Sequence, residues 1–295
     1  MSQLASEYLT TKELAELLRI KERKVYDLAA TGKVPCSRAT GKLLFPRAAI
    51  DAWIAGKGAG LEPDTMARRP NVFLGSHDPL LDWALRESGA GLATFFDGSI
   101  DGLDRFAKAE GIATGLHLFQ PDTESWNESI VRARFSHAPV VLAEFAWRQR
   151  GLIVSSDSKA GIRDLAGLKG RRMVPRQAGA GSQALLEHLL AREGLSPTDI
   201  QFIAPARTET DAALAVLESK ADAAFGLLGV AQQYRLAFLP VMRERFDLLV
   251  ERRAWFEPPM QRFVSFCNSP AFQDKAEGLE GYDVSGFGRV HFNGN

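Results

Sequence analysis

Ser76-His77-Asp78 is the first place in this 295-residue chain where chemistry could be sought. A hydroxyl, an imidazole and a carboxylate are the ingredients of a nucleophilic triad, but a triad needs side chains that converge through hydrogen bonds. Three consecutive residues at a helix entry point apart, so no triad is read here. Asp78 before Pro79 is most simply a helix N-cap. Gly75-Ser76 and Gly179-Ala180-Gly181-Ser182 each lead into a helical pattern. Helix N-termini carry unpaired N–H groups and a partial positive charge, and so hold anions without needing a cation. Glycine lets the backbone approach closely, and the hydroxyls of Ser76, Ser99 and Ser182 add donors. Glycine and serine also cap helices everywhere, and that alternative stays open for each. His77 and His117 read equally as donors to a ligand or as structural histidines. Arg176 reads as the counter-ion of an anion or as half of a surface salt bridge. His137, His188 and His291 form no metal-ligand spacing with cysteine or carboxylates, so no metal cation site is expected.

A second set of candidates lies in the first sixty residues, which carry ten bases and six acids although the whole chain is neutral. A basic head on an acidic body points to a polyanion partner for the head alone. Thr10-Thr11-Lys12-Glu13 followed by Leu14, Ala15, Leu17 and Leu18 has the signature of a capped helix start. Glu22 to Ala29 repeats at helical spacing and stops at Gly32, an expected C′ residue. Two short helices with a tight turn make a helix-turn-helix candidate. Two short strands around Ala39-Thr40-Gly41-Lys42 form a small basic wing, and Pro46 opens a third helix that faces inward with Ala49, Ile50 and Trp53.

Ala55 to Asp64 is Gly/Pro-rich without periodicity, so a linker is expected over 58–70. Beyond it, strands at Asn71–Gly75, Ala90–Phe95 and Ile112–Leu118 alternate with helices from Asp78-Pro79 and over Ser99–Ala109. That order means a parallel sheet. A second such unit has strands at Arg148–Val154 and Arg172–Pro175, a short helix at Gly161–Leu165 and a long one over Gln183–Glu193. A helix ending at Val216–Glu218 and strands at Ala221–Gly226 and Leu236–Val241 complete it, and Asp247–Val250 returns the chain to the first lobe. The fold class is α/β: a small head and a bilobed body whose two lobes are joined by crossing strands.

The head resembles the excisionase-type, MerR-like winged helix-turn-helix family over about residues 8–55. The resemblance is carried by Tyr8–Ala15, Lys24-Val25-Tyr26, Gly32-Lys33-Val34-Pro35 and Phe45…Ile50…Trp53. It implies that the second helix enters a major groove, with Arg23, Lys24 and Tyr26 as base or phosphate contacts and Arg38 and Lys42 as wing contacts to phosphate. The chemistry agrees, since cations neutralise phosphates and arginine reads guanine edges.

The body is similar to type 2 periplasmic binding proteins over about residues 71–290. The motifs are Lys169–Arg172, Arg176-Gln177, Gly179–Ser182, Ala221-Asp222-Ala223, Phe238-Leu239-Pro240 and Arg245–Leu248. A cytoplasmic subgroup, often attached to a helix-turn-helix or to molybdopterin-biosynthesis proteins, is more similar still. Its motifs fall on Gly75–Asp78, Gly115–Leu118, Trp126-Asn127 and Gly281-Tyr282-Asp283. One departure is plain: the usual Gly-Ser-Gly-Thr-Arg reads Gly179-Ala180-Gly181-Ser182-Gln183, one hydroxyl and one cation fewer. The resemblance implies a ligand site of Ser76, His77, Ser99, His117, Asn127, Arg176, Gly179, Gly181 and Ser182, with molybdate or tungstate as ligand.

The expected organisation is a winged helix-turn-helix over 1–57, a linker, and a bilobed body over 71–295. Lobe 1 takes about 71–148 and 249–295, and lobe 2 about 149–248. The expected function is a one-component transcriptional regulator: double-stranded DNA on the head, a small anion in the body, no cofactor, a homodimer matching a two-fold operator. A sensor of an organic anion or a molybdenum-cofactor-related metabolite is the alternative. An enzyme on the same fold is disfavoured by the lack of a nucleophile–base pair. Two distant cysteines fit a reducing cytoplasm, no apolar run reaches membrane-span length, and the start does not read as a signal peptide.

Overall fold

The computed structural model describes residues 8–31, 34–37, 43–58, 68–155 and 161–295. The chain divides into two compact units, Met1–Arg68 and Arg69–Asn295. No helix among the described residues is long and apolar enough to cross a membrane.

In the head, β1 (Tyr8–Leu9) pairs antiparallel with β2 (Phe45–Pro46). Helix α1 (Thr11–Leu18) starts at a full capping box: the Glu13 amide donates to Thr10 Oγ1 and the Thr10 amide to the Glu13 carboxylate. It ends on Arg19 in the left-handed region, φ 53°, which makes the turn into α2 (Glu22–Ala30) tight. Leu9, Leu14, Ala15, Val25, Ala29, Val34, Phe45 and Ile50 form the head's core. Pro46 sits in β2 rather than opening α3 (Arg47–Gly58), which runs on to Gly58 where a linker is expected to begin. The Ser37–Leu44 bridge closes the base of the expected wing, while its turn, with Arg38 and Lys42, lies outside the described residues.

The body opens with β3 (Val72–Gly75), α4 (Pro79–Glu87), β4 (Ala93–Phe96), α5 (Ser99–Ala107) and β5 (Ala113–Leu116). The three strands are parallel in the order β5-β3-β4. A small antiparallel pair, β6 (Phe119–Gln120) and β7 (Ser125–Trp126), precedes α6 (Glu128–Phe135). Then comes β8 (Val140–Val154), twice the length expected for it. Lobe 2 contributes β9 (Arg172–Val174), α7 (Gly181–Arg192), β10 (Gln201–Phe202), α8 (Glu209–Leu217), β11 (Ala223–Leu227) and α9 (Leu228–Gln233). The expected short helix at 161–165 falls instead as a single 3₁₀ turn at Ala166–Leu168.

The two strands expected at Leu236–Val241 and Asp247–Val250 are one continuous strand, β12 (Ala237–Glu251). It pairs antiparallel with β8 along nearly its whole length. At about 3.4 Å per residue each of these strands is about 50 Å long, enough to run through both lobes. Helices α10 (Arg252–Trp255), α11 (Pro258–Cys267) and α12 (Pro270–Glu277) and strands β13 (Tyr282–Asp283) and β14 (Val290–Asn293) return the chain to lobe 1. Phe145 at the centre of lobe 1 meets the rings of Phe246, Phe263, Phe272 and Phe287 at 5.9–6.4 Å between centroids.

One close approach fixes the helix that matters most for the site. A Cβ on Gly102 of α5 would lie 2.3 Å from the Gly75 Cα and 2.4 Å from Thr114 Oγ1. α5 therefore rests backbone-to-backbone on β3, and its N-terminus is held against the ends of β3 and β5.

Candidate functional site

Parallel neighbours end on the same side of a sheet, so the residues after β3, β4 and β5 are brought together. They are Ser76, Ser99 and His117, all buried. The Ser76 and Ser99 hydroxyls lie 2.7 Å apart, and Ser99 Oγ also accepts the His117 amide at 3.2 Å. A hydroxyl has one hydrogen to give. One of the two is spent between the serines, so the pair offers a single outward donor. His77 does not join them. It is half-buried, edge-on to Phe96 at 5.8 Å, and its Nδ1 has no hydrogen-bond partner among the described residues.

The N-terminus of α7 comes from lobe 2 to the same place. Its N-cap, Ala180, supplies no side-chain cap. Ser182 is buried, and a Cβ on Gly181 would lie 2.6 Å from the His117 carbonyl and 3.1 Å from Ser99 Oγ. The Ile100 amide in the first turn of α5 donates to the Gly179 carbonyl at 3.3 Å. Two helix entries from two lobes thus meet beside the Ser76–Ser99 hydroxyl pair. Gln183 stands where the resemblance calls for arginine, and its Oε1 accepts the Arg176 amide at 2.9 Å. That position ties the turn together instead of supplying charge.

Behind the serines lies a buried ionic network that the motifs do not announce. Arg148 of β8 donates to Asp78 at 2.7 Å and to Glu244 of β12. Arg150 pairs with Glu244 at 2.8 Å and with Glu209, the first residue of α8, at 2.9 Å. Tyr282 donates its phenol to Asp78 at 2.6 Å. Asp78 caps α4 through its other oxygen, accepting the Leu81 amide, so the N-cap expected there is also an ion-pair partner. Burial alone would push the carboxyls up. The Arg148 and Arg150 guanidiniums outweigh it and hold Glu244 well below the usual carboxylate range, and Arg150 and Arg176 hold Glu209 at about 2.

His117 is buried and joined to the ionic network through Glu244. Burial lowers its pKa against the pull of Glu244, so the ring is neutral near pH 7. Glu244, ionised, can only accept, and the 3.1 Å contact therefore fixes the proton on Nδ1. The ring stacks on Phe246 at 5.7 Å.

Arg176 is buried rather than on the surface. It pairs with Glu209 at 2.9 Å and donates to the Ala206 and Arg207 carbonyls, so its charge is already matched. Asn127 is also committed within the protein: its Oδ1 accepts the Leu118 amide at 2.6 Å and its Nδ2 donates to Asp247 at 2.8 Å. With His117 neutral, the guanidiniums of Arg148, Arg150 and Arg176 face the carboxylates of Asp78, Glu209 and Glu244, and this buried cluster carries no net charge.

In the head, Arg23, Lys24 and Tyr26 stand exposed on α2 while Val25 and Ala29 are buried beneath them. Tyr26 is 52% exposed, which places it outside the head's core.

Comparison with known proteins agrees with both parts. A PBP superfamily domain matches residues 83–268, and a helix-turn-helix domain matches residues 8–58. The chain belongs to the PBP superfamily. The Bacillus subtilis (strain 168) protein YvgK is 25% identical over 302 residues, covering 95% of this chain and 96% of that one. A Clostridium pasteurianum protein encoded in the 5′ region of a 2Fe-2S ferredoxin gene is 30% identical over 76 residues, 25% of this chain and 67% of that protein. Among solved structures, a Clostridium perfringens substrate-binding protein with bound phosphate has a TM-score of 0.51 at 11% identity, covering 72% of this chain and 99% of that one. A tungstate ABC transporter structure from Geobacter sulfurreducens has 0.50 at 12% identity, covering 71% and 95%. At these identities the likeness shows the fold alone. A helix-turn-helix domain points to DNA, a PBP domain to a small ligand, and together they are the parts of a binding protein or regulator.

Proposed function

We propose that the chain is a one-component transcriptional regulator whose head binds duplex DNA and whose body binds a small oxyanion between its lobes. The observation that carries the ligand class is the meeting of the α5 and α7 N-termini beside the Ser76–Ser99 hydroxyl pair, with Ser182 buried in the first turn of α7. The donors are hydroxyls and amides, and the nearby cations are already paired. Such a site takes an anion by dipole and shape. Molybdate and tungstate are the first candidates: they follow from the motif resemblance, and a tetrahedral dianion suits hydroxyl and amide donors. The DNA reading rests on the exposed Arg23, Lys24 and Tyr26 of α2 and on the head's basic balance.

The test is thermal unfolding of the full chain against molybdate, tungstate, sulfate, phosphate and a set of small carboxylates. A ligand at a hundredfold excess over Kd stabilises by about 2.7 kcal/mol. Molybdate and tungstate should raise the melting temperature and compete with each other. If neither does so at millimolar concentration while an organic anion does, the oxyanion assignment falls and the sensor of an organic anion takes its place.

A further inference from the structure

The main run of the body's ten-stranded sheet ends in β10 and β4, while the short strands β13 and β14 branch from it on β8. β10 has two residues, whereas β4 has four, Ala93-Thr94-Phe95-Phe96, with neither a charge nor a proline. Edge strands are ordinarily guarded by such residues because their open N–H and C=O groups recruit another strand. This one is open on its outer side. Ala93, Thr94 and Phe95 are exposed, Phe95 to 43%. The Ala93 amide donates inward to the Asn71 carbonyl. Amide direction alternates along a strand, so the Thr94 and Phe96 groups point away from β3. No strand among the described residues takes them.

We propose that the β4 edge is the surface through which two copies of this chain join, antiparallel, into one continuous sheet. The choice of a second copy over another protein rests on self-complementarity. A two-fold axis at Thr94 lets the two Thr94 residues exchange both hydrogen bonds, with no like charges opposed. α5 lies over β3, so the two α5 helices run antiparallel across three strand spacings, about 14 Å. On the flank toward β4, Arg105 covers the Phe95 ring at 4.2 Å and pairs with both Asp101 and Glu110 at 2.8 Å, which leaves these three matched among themselves. Exposed Lys108 follows at the other end of that flank. Antiparallel apposition sets the Asp101 end of one helix against the Lys108 end of the other, and long side chains span the gap. The choice of two-fold symmetry also suits the DNA-binding reading above, where a dimer matches a two-fold operator.

Sedimentation velocity of the full chain, without DNA or ligand, tests the proposal separately from that reading. Thr94→Pro removes the outward amide while leaving the inward bonds to β3, since proline is tolerated on edge strands. Thr94→Lys keeps the backbone and opposes two cations on the axis. Wild type should be a dimer at micromolar concentration. Losing the two symmetric bonds should weaken dimerisation by about thirtyfold. Lys should weaken it as well, and Gln201→Lys on the opposite edge, where the side chain is exposed and the inward Gln201 amide is kept, should leave it unchanged. Circular dichroism confirms that each variant is folded; if Thr94→Pro is not, Thr94→Lys alone decides. A monomeric wild type, or a dimer equally tight in the folded Thr94 variants, overturns the proposal.

Discussion

Replacing Glu209 by glutamine probes the buried ionic cluster most directly. Its carboxylate is 1% exposed and lies 2.9 Å from both the Arg150 and the Arg176 guanidiniums. Lowered from an ordinary 4.5 to about 2, its ionised form is worth about 3 kcal/mol of folding free energy. Glutamine keeps the shape but leaves Arg150 with Glu244 alone and Arg176 with backbone carbonyls alone. Removing one partner of a buried pair costs about 3–5 kcal/mol, in the same range. Urea unfolding of the full chain at pH 7, followed by tryptophan fluorescence, should show the midpoint of the body's transition falling by about 1–1.5 M for a slope of about 2–3 kcal/mol/M. The pH dependence has a definite sign. A carboxyl whose folded value is depressed stabilises fully above its unfolded value and loses that contribution as pH falls through the folded one. The gap between wild type and Glu209→Gln should therefore be widest above pH 5 and narrow to about half or less at pH 3. A loss below about 1 kcal/mol at pH 7, or two curves that stay parallel down to pH 3, would refute the idea that this network ties β8 to lobe 2.

Ser76→Ala and Ser99→Ala should each weaken molybdate binding in calorimetry by about 0.5–1.5 kcal/mol, and the double variant by less than their sum, because the pair offers one outward hydrogen. Additive losses would show that each serine has its own ligand contact. Gly181→Val should abolish binding in the same assay, since its first added carbon already lies 2.6 Å from the His117 carbonyl; retained affinity would place the ligand elsewhere. Arg23→Ala with Lys24→Ala should weaken binding to duplex DNA and reduce the slope of log K against log salt by about 2 if both contact phosphate. An unchanged slope would remove α2 from the interface.

The local elements were legible because their signals are local. Thr10 and Glu13 cap α1, Asp78 caps α4, and apolar periodicity marks α5 and α7, each within a few residues of where composition puts them. The crossing strands were harder. Arg148-Gln149-Arg150 looks like the polar start of a strand, yet β8 begins eight residues earlier and carries both arginines through its buried middle. The available signal was the company they keep: two arginines at alternate positions inside a long, largely apolar run, with Glu244 in the charged stretch Arg243–Asp247 that interrupts another. Charges of opposite sign on one face of two buried strands ask for each other. Glu209 gave no such signal. It reads as an ordinary acidic first turn after Thr208, and only the fold turns that first turn inward. Arg176 shows the limit of motif reading, because its proximity to the glycine-serine turn is real while its charge is spent on Glu209.

A buried ionic cluster of zero net charge beside two helix N-termini sets the two proposed binding events apart in their salt dependence. In the proposed site an anion would meet paired cations, so its affinity would depend on amides and hydroxyls at contact distance, where salt screens little. On the proposed reading DNA would meet Arg23 and Lys24 on an exposed helix, where each phosphate contact would release a counter-ion and affinity would fall steeply with salt. The two binding events therefore separate by ionic strength. Between 50 and 300 mM potassium chloride, DNA affinity should drop by more than about tenfold while molybdate affinity changes by less than about threefold. An oxyanion affinity that fell in step with DNA would mean that a screened surface cation holds the ligand. The buried serines would then be helix caps and nothing more.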